Sequence, residues 1–175
     1  QEELESQFRS NNGVGITRQP QSDEPIALKH RTAIPVSVTE VAYDLRQEIS
    51  GTNWHYAESD GRWAGFDISS ELKLPSMKSG HYELTLDIVD AIEQEIFQEM
   101  TVFLNGTRLE LDFEKNMPPA MVSAEFEIDD TFEEPVWTFS FNFPKVVSPA
   151  EKAQDMNDLR KLSVRMRALK LRMLD

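Results

Sequence analysis

The chain of 175 residues contains no cysteine. Disulfides, thiolate metal sites and cysteine nucleophiles are excluded together, and the cytosol is compatible with this absence but not required by it. Histidine is sparse. His30, His55 and His81 are scattered, with no HExxH and no pair at metal-ligand spacing, so no metal or other cofactor is expected. A P-loop, a dinucleotide glycine fingerprint and a G-x-S-x-G elbow are all missing. No apolar run approaches the roughly 20 residues that a spanning helix needs, which predicts no membrane insertion. The opening Gln1-Glu2-Glu3-Leu4-Glu5 is acidic where a secretory leader would be basic. Localisation is left open between the cytoplasm and the cell envelope. Bases are also in deficit, 18 against 31 acids for a net charge of −13, which argues against a nucleic-acid partner. Those bases gather late: from Arg160 to Arg172 there are six and no acid.

What is present is a period of two. Tyr82, Leu84, Leu86 and Ile88 share one parity, opposite Glu83, Thr85 and Asp87. Trp137, Phe139, Phe141 and Phe143 do the same in the next long run. Alternation buries one face of a strand and wets the other, so the chain reads as all-β, an antiparallel β-sandwich. Further strands are predicted over Thr32–Val41, Ile68–Leu74, Thr101–Leu104, Leu109–Phe113 and Met121–Ile128. Asn105-Gly106 and Asp60-Gly61 are type I′ hairpin signals, and Ser50–Gly65 reads as a loop rich in aromatics. Asp90–Glu99 fits a helix or a strand running into a bulged loop. The tail from 159 to 173 carries helical and strand periods at once. Its strand parity slips once at Ala168, as one bulge would produce, and the all-β context selects strand. Residues 1–30 are polar and weakly periodic, predicting a loosely ordered arm before a domain over 31–175.

The functional candidate is the aromatic stretch. Trp54, Tyr56 and Trp63 offer ring faces to the apolar C–H face of a sugar, with Glu58, Asp60 and Arg62 to hydrogen-bond hydroxyls. The structural alternative has the two tryptophans plugging the end of the sandwich. A second acidic group, Glu125, Glu127, Asp129, Asp130, Glu133 and Glu134, lacks EF-hand spacing. It reads instead as an exposed face pairing across strands with Arg165, Arg167 and Lys170. No two of the 31 acids stand out as a glycosidase pair, so no catalytic residue is assigned. Asn105-Gly106-Thr107 matches a glycosylation sequon, but its position makes it a turn first.

Three pieces taken together carry a resemblance. They are Trp54…Glu58-Ser-Asp-Gly-Arg-Trp63, the Val102-Phe-Leu-Asn-Gly106 hairpin, and the ending Phe143-Pro-Lys-Val-Val-Ser148-Pro-Ala-Glu151…Asp158-Leu-Arg160-Lys-Leu162 with its alternating basic and apolar strand. Over residues 50 to 173 the chain resembles the β-sandwich accessory domains appended to bacterial cell-surface polysaccharide glycosyltransferases and related envelope enzymes. In that family Asp-x-Arg-x-Leu opens the last strand, commonly with glycine next, where this chain has Ser163. The resemblance implies a jelly-roll sandwich and a non-catalytic role. The partners expected are an oligo- or polysaccharide and a glycosyltransferase domain in the same or a partner chain. A structural or assembly protein using the sandwich as a brick is the other reading.

Overall fold

The computed structural model of the protein describes residues 39–131, 134–153 and 156–174. The arm expected over 1–30 and the first strand up to residue 38 lie outside them. The described chain runs through β1 (Glu40–Asp44), β2 (Gly51–Thr52), β3 (Trp54–Glu58), β4 (Gly61–Gly65), β5 (Ser69–Pro75) and β6 (Gly80–Ala91). It continues through α1 (Gln94–Gln98), β7 (Thr101–Leu104), β8 (Thr107–Leu109), β9 (Asp112–Phe113) and β10 (Ala120–Ile128). β11 (Val136–Asn142), α2 (Pro149–Lys152) and β12 (Leu162–Leu174) complete it.

Two antiparallel sheets form a jelly-roll sandwich. One is ordered β3-β4-β12-β6-β10-β9, with β1 also on β12; the other is β2-β5-β11-β7-β8. The alternation explains how they pack. Tyr82, Leu84, Leu86 and Ile88 of β6 are fully buried, as are Trp137, Phe139 and Phe141 of β11. The sheets meet there, and Tyr82 meets Trp137 edge to face with centroids 5.3 Å apart. Edge-to-face contact sets a positive ring rim against a negative face.

The tail is a strand. β12 pairs with β6 on one side and with β4 and then β1 on the other. Its register shifts around Met166 and Ala168, so Met166 and Leu169 both point into the core while the parity between them changes. Ser163 is fully buried, and its hydroxyl donates to the Ala64 carbonyl at 2.9 Å, which satisfies the buried polar group.

Several expectations are corrected. Residues 51–65 are a short strand and a hairpin rather than a loop, because Trp54 and Ala64 pair directly. The hairpin turn is Ser59-Asp60, closed by Glu58 opposite Gly61. Neither turn residue has positive φ, so it is not type I′. Asn105-Gly106 does adopt the positive φ values (45° and 86°) that type I′ needs. Leu109 to Phe113 is not one strand, since β8 and β9 belong to different sheets. Asp90–Glu99 divides into a strand end and one helical turn that buries Ile96 and Phe97. Glu125 and Glu127 of β10 do not pair with the basic strand, because β6 lies between β10 and β12. Glu125 instead meets His81 at 3.3 Å, and the bases of β12 find acids on β1, β6 and the β3–β4 hairpin.

Candidate ligand groove

Ala64 belongs to the core between the sheets, whereas Trp63 does not. Alternation therefore turns Trp63 to the outer face of the larger sheet. Tyr56 and Glu58 share an outer parity on the neighbouring edge strand. Residues 156–161, a returning segment, cross this face, and between them lies an open groove of about 490 Å³. Trp63 and Leu162 floor it, Met156 and Asp158 line it from the returning segment, and Glu58, Asp90, Arg160 and Arg165 add further charged groups to its lining.

A relay of ion pairs shapes the groove. Arg160 donates Nη1 to Glu58 Oε1 at 2.8 Å, Nη2 to Asp158 Oδ2 at 2.7 Å and Nε to Asp158 Oδ1 at 3.0 Å. Arg165 reaches the other Glu58 oxygen, Oε2, at 3.2 Å and Asp90 Oδ2 at 3.2 Å, and it sits 3.2 Å from Asp60 Oδ1. Its guanidinium lies over the Trp63 ring at 5.2 Å from the centroid, as Arg160 lies over Tyr56 at 5.5 Å. Hydrogen bonding to Arg160 holds the Asp158 carboxyl below the usual carboxylate range. Asp158 and then Glu58 raise Arg160 above the ordinary guanidinium range. Charge-assisted pairs of this kind fix geometry more than they stabilise.

The returning segment is tied down locally. Ser148 and Glu151 form a capping box around Pro149, and Glu151 also binds Lys161. His55 is buried, with Nε2 at 2.7 Å from the Lys161 carbonyl. A carbonyl only accepts, so Nε2 carries the proton. Phe66, at φ 68°, lays its ring on His55 with centroids 4.1 Å apart.

Of the six residues singled out in the sequence, four meet here. Glu58 and Trp63 line the groove, Tyr56 stands beside it under Arg160, and Asp60 joins through Arg165. The other two serve the fold. Trp54 packs on Phe141 and donates Nε1 to the Glu71 carbonyl at 2.8 Å. Arg62 donates to the carbonyls of Leu45, Gln47 and His55 at 2.8–3.1 Å. The three rings also separate by exposure: Trp63 is 6% exposed and Tyr56 70%, while Trp54 is half-buried. Asp90, Asp158, Arg160 and Arg165 were not among the candidates. Asp158 and Arg160 belong to the Asp-x-Arg-x-Leu element, which was the signal available for them.

No family model matches the chain, and no curated protein is significantly similar. Among solved structures it is similar to the Podospora anserina GH26-CBM35 β-(1,4)-mannanase, at 11% identity and TM-score 0.45. That match covers 78% of this chain and 28% of the mannanase. It is similar also to the C-terminal CBM6 of LamC from Zobellia galactanivorans (12% identity, TM-score 0.44, 76% of this chain and 98% of that one). A third is the CBM35 from Paenibacillus barcinonensis, with 11% identity, TM-score 0.43, and 77% and 99% of the two chains covered. At these scores the likeness does not bear on what the groove binds.

Proposed function

We propose that the chain is a non-catalytic carbohydrate-binding module that holds an oligo- or polysaccharide against Tyr56 and the adjoining groove. The observation that carries this is the Tyr56 ring, 70% exposed on a paired strand beside a groove lined with polar groups. A sugar is half apolar and half hydroxyl, and a fixed ring next to carboxylates and guanidinia matches both halves. Asp158 is not suited to act as the general acid of glycoside cleavage, which needs a raised pKa, because it is shifted the other way. The resemblance of the Asp158–Leu162 element supports the narrower reading, an accessory module of a bacterial surface-polysaccharide system working with a glycosyltransferase domain in the same or a partner chain.

The test is a panel of defined oligosaccharides screened on an array, with hits measured by titration calorimetry for the wild type and Tyr56→Ala. The loss of one stacking contact, on the order of 1 kcal/mol, lowers affinity severalfold to tenfold with the thermal midpoint unchanged. Equal binding by the variant removes Tyr56 from the site. The assembly reading draws on Phe66 and Leu159, which are 62% and 77% exposed. Sedimentation of the wild type against Phe66→Ser checks it, since only an interface through this edge would lose an oligomer.

A further inference from the structure

We infer that the groove selects sugars bearing a free amino group, and that it discriminates against uronic and other acidic sugars. The inference rests on the glycan-binding reading above and specifies its ligand. The groove contains two arginines, and both are committed to its carboxylates. Each guanidinium nitrogen of Arg160 already donates to a carboxylate. Both terminal nitrogens of Arg165 are likewise engaged, and its remaining Nε is buried. The side chains of these arginines are only 27% and 20% exposed. Three of the carboxylates are more open, with Asp90 at 49%, Asp60 at 46% and Asp158 at 33%, whereas Glu58 at 25% is as enclosed as the arginines.

A ligand entering the groove therefore meets acceptors. Among the residues lining it Glu58, Asp90 and Asp158 outnumber Arg160 and Arg165 by three to two, and Asp60 joins through Arg165, within a chain of net −13. An ammonium offers three donors and a positive charge to this surface, and the exposed Tyr56 face adds a site for a cation over a ring. Hydroxyls satisfy the same acceptors without the charge. A carboxylate or sulfate satisfies none of them and is repelled.

The probes are the hexamer of β-(1,4)-linked glucosamine, its fully N-acetylated counterpart and a hexagalacturonate, measured by titration calorimetry at pH 6. The wild type is expected to bind the amino hexamer about three- to tenfold more tightly than the acetylated one, the scale of two half-exposed ion pairs. That advantage shrinks at 0.5 M salt, where surface charges are screened, and the hexagalacturonate shows no binding. Asp90→Asn narrows the ratio between the amino and the acetylated hexamer. Equal or tighter binding of the acetylated hexamer or the hexagalacturonate overturns the amino-sugar inference and leaves the glycan-binding reading standing, provided Tyr56→Ala still weakens it. Should the amino hexamer be bound equally by Tyr56→Ala, the attraction is diffuse charge and the inference also fails. Absence of binding by every saccharide tested defeats both.

Discussion

Arg62 and Tyr56 lie six positions apart on one hairpin, yet Arg62 is tied to the backbone while Tyr56 is 70% exposed. The Arg62 guanidinium is spent on three backbone carbonyls that bring the 45–47 segment against β3, and burial lowers its pKa. Arg62→Met would leave those acceptors short of donors. We expect a stability loss of about 2 kcal/mol in urea unfolding, with any residual folded protein still binding ligand. Trp63→Ala should cost about 3 kcal/mol, because the ring is buried under Arg165. Tyr56→Ala should cost almost nothing, and this contrast between two rings of one hairpin separates floor from contact. Asp158 supplies a pH signature. Its folded pKa lies below the ordinary aspartate value because Arg160 donates to it, so the stability it contributes is present above the unfolded pKa and lost as pH falls through the folded one. Asp158→Asn should flatten the decline of the thermal midpoint below about pH 4 and leave the midpoint's slope above pH 5 as in the wild type.

At the scale of elements, the groove exists because residues 156–161 are held against the β3–β4 hairpin. Gly65 sits at that seam. A Cβ there would overlap the Lys161 carbonyl oxygen and approach His55 Nε2 to 2.7 Å. Gly65→Ala is therefore expected to cost about 1–3 kcal/mol and to weaken glycan binding as well, since backbone must move on both sides. Wild-type affinity in that variant would show that the returning segment is not needed for the site. The same seam marks the limit of what the sequence discloses. Long strands were legible because β6 and β11 bury every second residue without interruption, and the bulge in β12 was legible as a parity slip at Ala168. The strands of the 54–65 hairpin were not, although Asp60-Gly61 marked its turn, since Trp54, His55 and Trp63 are all wholly or partly buried on different faces and leave no alternation to read. The site was half legible. Tyr56, Glu58, Asp60 and Trp63 announce themselves by type and proximity, whereas Arg160 and Arg165 reach Glu58 across 102 and 107 positions, a separation that local patterns do not encode.

The whole molecule is organised around its last strand. Residues 1–30 lack the apolar content to bury much surface, and we expect a chain starting at residue 31 to keep its thermal midpoint within about 2 °C. The C-terminal end is the opposite case. β12 has β6 along one side and β4 followed by β1 along the other, and it sends Val164, Met166, Leu169 and Leu171 into the core. Paired on both sides and buried on one face, its amides open only when the sheet separates, so their exchange reports global unfolding. In native-state hydrogen exchange Leu169 and Leu171 should belong to the slowest group, with protection equal to the global stability from urea unfolding. The two-residue strands β2 and β9, at the ends of their sheets, should exchange by local opening at far lower cost. Because the strand at 162–174 is also the wall that presents Arg165 to the groove, ligand should slow exchange at Arg165 and Met166 only as far as it raises global stability by mass action. Extra protection confined to 156–160, with β12 rising no more than the global value, would locate the ligand on the returning segment. Protection confined instead to β8 and β10 would place it elsewhere on the sandwich and remove this groove from consideration.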